Sequence, residues 1–209
     1  MKTIELQATL SDGTIEVLSI NSSSTVVDLS NKSIVALDIS SLDSIDNLNE
    51  LNLSGNCFMT IDLSVLAFCP SIRTLKLDHN NLRIVDLSPI SYCENLESLD
   101  ISFNQIIRIE LSPLSSCRSL TSLCLMDNRL VILDLSPISR CAKLEILNLF
   151  GNPLKRLDLT PLYMCAVLQS LIVPENARLI SKLRQEIEIL IPPALHRLIS
   201  ADRIEFTTD

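Results

Sequence analysis

The sequence predicts an α/β solenoid: a curved, right-handed β–α/3₁₀ superhelix with a parallel β-sheet on its concave face. Three observations predict it. A 24-residue period runs through the middle of the chain. Within each period a short stretch alternates apolar and polar residues, as a strand with one buried face does. Later in each period Ser-Pro or Thr-Pro opens a short turn of helix.

The period is read from three columns. Asn56, Asn80, Asn104, Asn128, Asn152 and Asn176 lie 24 residues apart, as do Leu51, Leu75, Leu99, Leu123, Leu147 and Leu171, and Cys69, Cys93, Cys117, Cys141 and Cys165. Self-similarity at a fixed period of this length marks stacked units. The unit reads LxxLxLxxNxLxxLDLSPLxxCxx, and seven copies start at Ser24, Leu48, Ile72, Leu96, Leu120, Leu144 and Leu168. In the first copy Lys32 stands in place of Asn and Ile45 in place of Cys, and regularity ends after Asn176. Irregular end units are expected where a stack must be sealed against water.

The first half of the unit, LxxLxLxxNxL, resembles the signature of the leucine-rich repeat family, and the resemblance covers residues 24–176. It implies a horseshoe, an Asn ladder that bonds loop backbone of adjacent units, and a non-enzymatic scaffold that binds a protein partner through its concave face. Extracellular members often carry disulfide-bridged end caps, whereas residues 1–23 and 177–209 contain no Cys; the chain therefore resembles the intracellular type. Some intracellular members are regulatory or adaptor subunits that position a phosphatase or a ubiquitin ligase. That is the second functional expectation, although no F-box-like or other recruitment domain is legible.

Each place in the unit has a physical reading. Leu51 and Leu53 in ELNLS point to one face of a strand, and each buried Leu stabilises by roughly 1.5–3 kcal/mol relative to exposure. Ser88-Pro89, Ser112-Pro113, Ser136-Pro137 and Thr160-Pro161 are expected to place a capping hydroxyl at the N-cap and Pro at the first helical position. Such a hydroxyl is occupied, which argues against phosphorylation. The Cys three residues before the next unit's Leu is read as a small buried hydrophobe. A metal site or thiol relay is the sharper alternative, but zinc needs about four converging ligands, and a column points its thiols side by side. The acidic column Asp38, Asp62, Asp86, Glu110, Asp134 and Asp158 is expected to be solvated or backbone-bonded, with Arg83, Arg108, Lys155 and Arg156 partly neutralising it. Calcium there is an alternative, since it takes oxygen ligands, yet single evenly spaced carboxylates form no compact cage.

The ends read as caps. Residues 1–23 alternate around Ser11-Asp12-Gly13, a hairpin signal, expected to pair with the first strand. In 177–209, Leu179, Ile180, Leu183, Ile187, Leu190 and Ile191 follow helical spacing, and Pro192-Pro193 stops that helix. A second short helix over ALHRLISAD completes a helical cap over the end of the stack; a partner-binding helix is the alternative.

Composition narrows the class further. Apolar residues make up 47% of the chain but aromatics only 3%, and there are three Gly, so the core is built mostly of Leu and Ile. The net charge is 17 − 25 = −8, which disfavours nucleic acid, because that affinity rests on Lys and Arg displacing counterions. The N-terminus has no basic start before an apolar run, so it does not read as a signal peptide, and no apolar run reaches the roughly 18 residues of a membrane span. Seven Cys, an odd number without CxxC, favour free thiols in a reducing compartment. The expectation is a cytoplasmic protein that contacts neither membrane nor nucleic acid.

Function then falls to the residues that break the rhythm around the strands. Lys76, Asp78, His79 and Asp100 mark a polar half of the concave face. Phe103, Cys124, Met126, Ile146, Phe150 and Ile172, with Asn148 among them, mark an apolar half. Solvent-facing apolar clusters mark interaction sites, and Phe and Met are enriched in interfaces. The alternative is that the C-terminal segment folds back over this patch. His79 and His196 are the only His, no Ser-His-Asp or Cys-His arrangement is legible, and there is no Gly-rich phosphate loop. No catalytic residue, metal ligand or cofactor is therefore expected.

Overall fold

The structure, a computed structural model, describes residues 3–182 and 191–207. In chain order its strands are β1 (Thr3–Leu10), β2 (Ile15–Asn21), β3 (Val26–Asp28), β4 (Ile34–Leu37), β5 (Glu50–Asn52), β6 (Thr74–Lys76), β7 (Ser98–Asp100), β8 (Ser122–Cys124), β9 (Ile146–Asn148), β10 (Arg156–Asp158), β11 (Ser170–Ile172), β12 (Arg178–Ser181) and β13 (Ile204–Phe206). Among the described residues a single α-helix, α1, spans Pro193–Ser200. Six five-residue 3₁₀ turns lie between the strands, among them Ser88–Tyr92 and Ser112–Ser116.

The 24-residue period becomes the register of the main sheet. Strands β3, β5, β6, β7, β8, β9 and β11 are parallel neighbours, with Val27, Leu51, Leu75, Leu99, Leu123, Leu147 and Leu171 facing one another in line. The central Leu of each three-residue strand points into the core, where Leu51, Leu75, Leu99, Leu123 and Leu147 are fully buried. Its two flanking residues face the concave side. No unit closes its own core, so each supplies one layer to its neighbours.

The Asn column forms the expected ladder. The Asn104 carboxamide donates to the carbonyls of Leu77 (2.9 Å) and Ile101 (3.2 Å), and its Oδ1 accepts the Leu82 N–H (2.9 Å). Asn80, Asn128 and Asn152 repeat this pattern. Each buried amide thus joins its own unit to the one before. Asn176 is exposed and stands outside the ladder, so the regular stack ends there.

The helix-start reading needs correction. Leu87, not Ser88, is the N-cap of its turn, no side chain caps it, and Pro89 is the second residue of the turn rather than the first. The first donor is satisfied by the acidic column: Asp86 Oδ1 accepts the Ser88 N–H at 2.9 Å, and Asp38, Asp62, Asp134 and Asp158 do the same two residues on. An Asp reaching its backbone two residues ahead is the ordinary Asx turn. The Ser88 hydroxyl and backbone N–H hold the Asp86 carboxyl below its ordinary value, and Ser136 acts likewise on Asp134. The column is backbone-bonded, as expected, but among the described residues none of Arg83, Arg108, Lys155 and Arg156 forms an ion pair with it.

The Cys column is buried and adds a second ladder. The thiols of Cys69, Cys93, Cys117, Cys141 and Cys165 donate to the carbonyls of Leu42, Leu66, Ile90, Leu114 and Ile138, one unit back, at 3.4–3.9 Å. Burial pushes Cys93, Cys117 and Cys165 up to about 12 and Cys141 up to about 11. These are inert thiols with a structural donor role.

The ends differ in part from their expectation. β1 and β2 form the antiparallel hairpin, but β1 pairs with β4 rather than with β3, the first strand of the main sheet. Ile4, Leu6 and Ala8 then close the open side of the first unit. At the other end Leu179 and Ile180 lie in β12, not in a helix, because the chain pairs in parallel with β10, and β13 adds to β12. Leu183, Ile187 and Leu190 lie outside the described residues. Pro193 opens α1, where a first-turn Pro has no N–H to lose. Leu195 of that helix is fully buried and the Ala194 N–H donates to the Leu168 carbonyl at 3.0 Å. Among the described residues the terminal cap thus holds one helix and two strands.

Candidate functional site on the concave sheet

The residues flanking each central Leu make two columns on the concave wall, and the loop after each strand adds two more. The first runs Val26, Glu50, Thr74, Ser98, Ser122, Ile146, Ser170, and the second Asp28, Asn52, Lys76, Asp100, Cys124, Asn148, Ile172. The third holds Asp78, Ser102, Met126 and Phe150, and the fourth His79, Phe103 and Asp127. All eleven residues singled out in the sequence therefore belong to this wall or its loop edge.

The wall is graded. Its first half is polar and cross-linked: Lys76 Nζ donates to Glu50 Oε1 at 2.7 Å, the Ser54 hydroxyl donates to Asp78, and His79 Nδ1 lies 2.8 Å from Asp78 Oδ2. Asp100 accepts the Ser102 N–H at 2.9 Å. The Lys76 ammonium is pushed up, chiefly by its hydrogen bond to Glu50 and then by the charges of Glu50, Asp28 and Asp78. The second half is apolar and open: Ile146, Phe150 and Ile172 are 43, 44 and 43% exposed. Met126 is half-buried, its Sδ accepting from Asn148 Nδ2 at 3.3 Å, and Cys124 is half-buried with its thiol pushed up by burial.

The two halves meet at an aromatic step. The rings of His79 and Phe103 stack with centroids 4.2 Å apart and planes inclined by 22°. Both belong to a column of left-handed residues, Asn31, Gly55, His79, Phe103, Asp127 and Gly151. Asn, Asp, His and Gly are the residues that tolerate this region; a bulky Phe there is an outlier. Past Phe150, where the Asn ladder ends, a groove is lined by Gly151, Pro153, Lys155, Pro174 and Glu175.

The described part of the C-terminal segment seals the end of the stack rather than this wall, since α1 packs against β11. Two features escaped the sequence reading. Glu50, the partner of Lys76, lies in the column before the central Leu. The flank between ladder Asn and acid column carries Met59, Ile84, Ile107, Val131 and Ile132, of which Ile84 and Ile132 are 70 and 67% exposed. Writing the 24-residue units beneath one another reveals that stripe, interleaved with Arg83, Arg108, Lys155 and Arg156. Among the described residues no three of His, Cys, Asp and Glu converge on a common point, and no helix is long and apolar enough to cross a membrane.

Comparison with known proteins agrees with this architecture. A crystal structure of internalin C2 from Listeria monocytogenes is 27% identical with a TM-score of 0.62, over 81% of this chain and 67% of the other. The leucine-rich repeat domain of APL1B is 25% identical with a TM-score of 0.59, over 64% of this chain and 40% of the other. The ectodomain of the Arabidopsis thaliana receptor kinase GASSHO1/SCHENGEN3, solved in complex with CASPARIAN STRIP INTEGRITY FACTOR 2, is 23% identical with a TM-score of 0.60 and shares the fold. It covers 69% of this chain, which spans 17% of that ectodomain. No curated protein matches by sequence. The family model for the leucine-rich repeat matches residues 23–82 and 94–154, more than half of the sequence. The repeats, the Asn ladder and these matches together place the chain in the leucine-rich repeat family, whose members are commonly protein-interaction modules.

Proposed function

We propose that the chain is a non-catalytic scaffold that holds a protein partner against the concave sheet. One observation carries this reading: Ile146, Phe150 and Ile172 stay more than two-fifths exposed together at one end of a wall whose other half is polar and cross-linked. A soluble protein rarely leaves such a contiguous apolar patch uncovered unless it meets something. Phe and Met are enriched at interfaces. The polar half sets orientation, since charged groups across an interface give register more than affinity.

The test is a paired capture from the native cell with the wild-type chain and a Met126→Asp, Phe150→Asp double variant. Phe150 is well exposed and Met126 half-buried, and neither belongs to the buried core, so the fold is expected to survive, as circular dichroism checks. A partner retained by the wild type and lost by the variant supports the surface. Equal retention by both refutes it.

A further inference from the structure

We infer that the His79–Phe103 step receives an arginine side chain from an extended, basic and apolar segment of the protein partner. This rests on the concave-face reading above and adds the chemistry of what it holds. Phe103 is the one residue of the left-handed column that does not suit it, with φ 51°, and such conformations persist mainly where function requires them. The strain does not serve the core, because Phe103 remains 39% exposed. Its ring is held against His79, which is held by Asp78, which is held by the Ser54 hydroxyl. The result is a fixed aromatic platform at the edge of the wall.

Charge selects the occupant. On the polar half, Glu50, Asp28 and Asp78 act on Lys76, Asp100 lies beside it in register, and Lys32 also faces Asp28, so four carboxylates less two ammonium groups leave a net −2. Glu50 already engages the Lys76 ammonium. An incoming cation thus meets unbalanced carboxylates beside an exposed ring. A guanidinium fits both at once, since it stacks flat on an aromatic face and bonds carboxylates along its edge. Farther along, Phe150, Ile146 and Ile172 offer apolar contact, so the segment lies with its basic part over the early rungs and its apolar part over the late ones.

The experiment is a selection of displayed random peptides on the purified full chain, followed by affinity measurement with synthetic winners. The expected winners join arginine to apolar residues in fixed spacing. Asp100→Asn and Phe103→Asn each weaken them about tenfold, the size of a desolvated cation–π or charge contact. Asn suits the left-handed backbone better than Phe, so the second variant keeps its fold. Replacing the peptide arginine by glutamine costs the same factor, and only on the wild-type chain. Winners without arginine that still lose affinity to Phe150→Asp would keep the concave surface but overturn the arginine site. Acidic winners, no winners, or affinities unchanged in Asp100→Asn would overturn it as well.

Discussion

At the scale of single residues, the recurrent Cys shows how little space a unit leaves. The Cys117 thiol is fully buried and its proton points to the Ile90 carbonyl at 3.6 Å. Cys117→Phe forces a ring into that slot and is expected to lower stability by about 1–3 kcal/mol, the usual cost of overpacking; a urea melt that matches the wild type would show the slot to be loose. The sequence made this residue legible as small and apolar, because the column recurs beside Leu. It did not reveal the thiol as a donor, since the carbonyl it meets comes from the preceding unit. The same limit explains the acidic column. Asp86 precedes Ser-Pro, and the hydroxyl looks like the cap, but only the backbone path shows that the carboxylate reaches the first free N–H.

At the scale of elements, the left-handed loop column sets how closely neighbouring units approach. A Cβ on Gly151 would come within 2.0 Å of Asp127 Oδ1, and Gly151 has φ +73°. Gly151→Ala is therefore expected to cost about 1–3 kcal/mol, by strained backbone and by contact together. Adding Asp127→Gly removes the side-chain contact, leaving the Cα of residue 127 at 3.1 Å, and should restore part of that loss in thermal melts; no restoration would assign the whole effect to the backbone. The repeating strands, turns and ladder Asn were legible because each recurs at one spacing with one side-chain chemistry. The end caps were legible in part: the hairpin around Ser11-Asp12-Gly13 and the short helix over ALHRLIS form as read, but the strands of the C-terminal cap were not legible. Leu179 and Ile180 carry helical spacing locally, yet β10 offers an edge strand to pair with, and tertiary pairing wins over local pattern. Phe103 and Ile146 were legible as interruptions of a column, whereas Glu50 was not, because its value lies in reaching Lys76 one unit away.

At the scale of the whole molecule, titration of the two columns bounds the stable range. The buried thiols have raised values, about 11 to 12 against an ordinary 9.0. Their contribution is complete below the ordinary value and is lost as pH rises through the folded value. The carboxyls of Asp38, Asp86 and Asp134 are lowered by Ser hydrogen bonds from an ordinary 3.8. Their contribution is complete above that value and is lost as pH falls through the folded one. Melting temperature is thus expected to be flat through neutral pH, to fall above about pH 9 and to fall again below about pH 4. Replacing Cys93, Cys117, Cys141 and Cys165 by Ala should flatten the alkaline limb; an unchanged limb would clear these four thiols of that role. Finally, every ladder Asn joins adjacent units through its bonds to the unit before, and none requires a fixed total number. Duplicating or deleting one 24-residue unit between β7 and β9 would keep all the joints yet slide Phe150 relative to Phe103 by one strand spacing, about 4.8 Å. The same wall could in this way be retuned to partners of different stride, by gene copying rather than by redesign of any side chain.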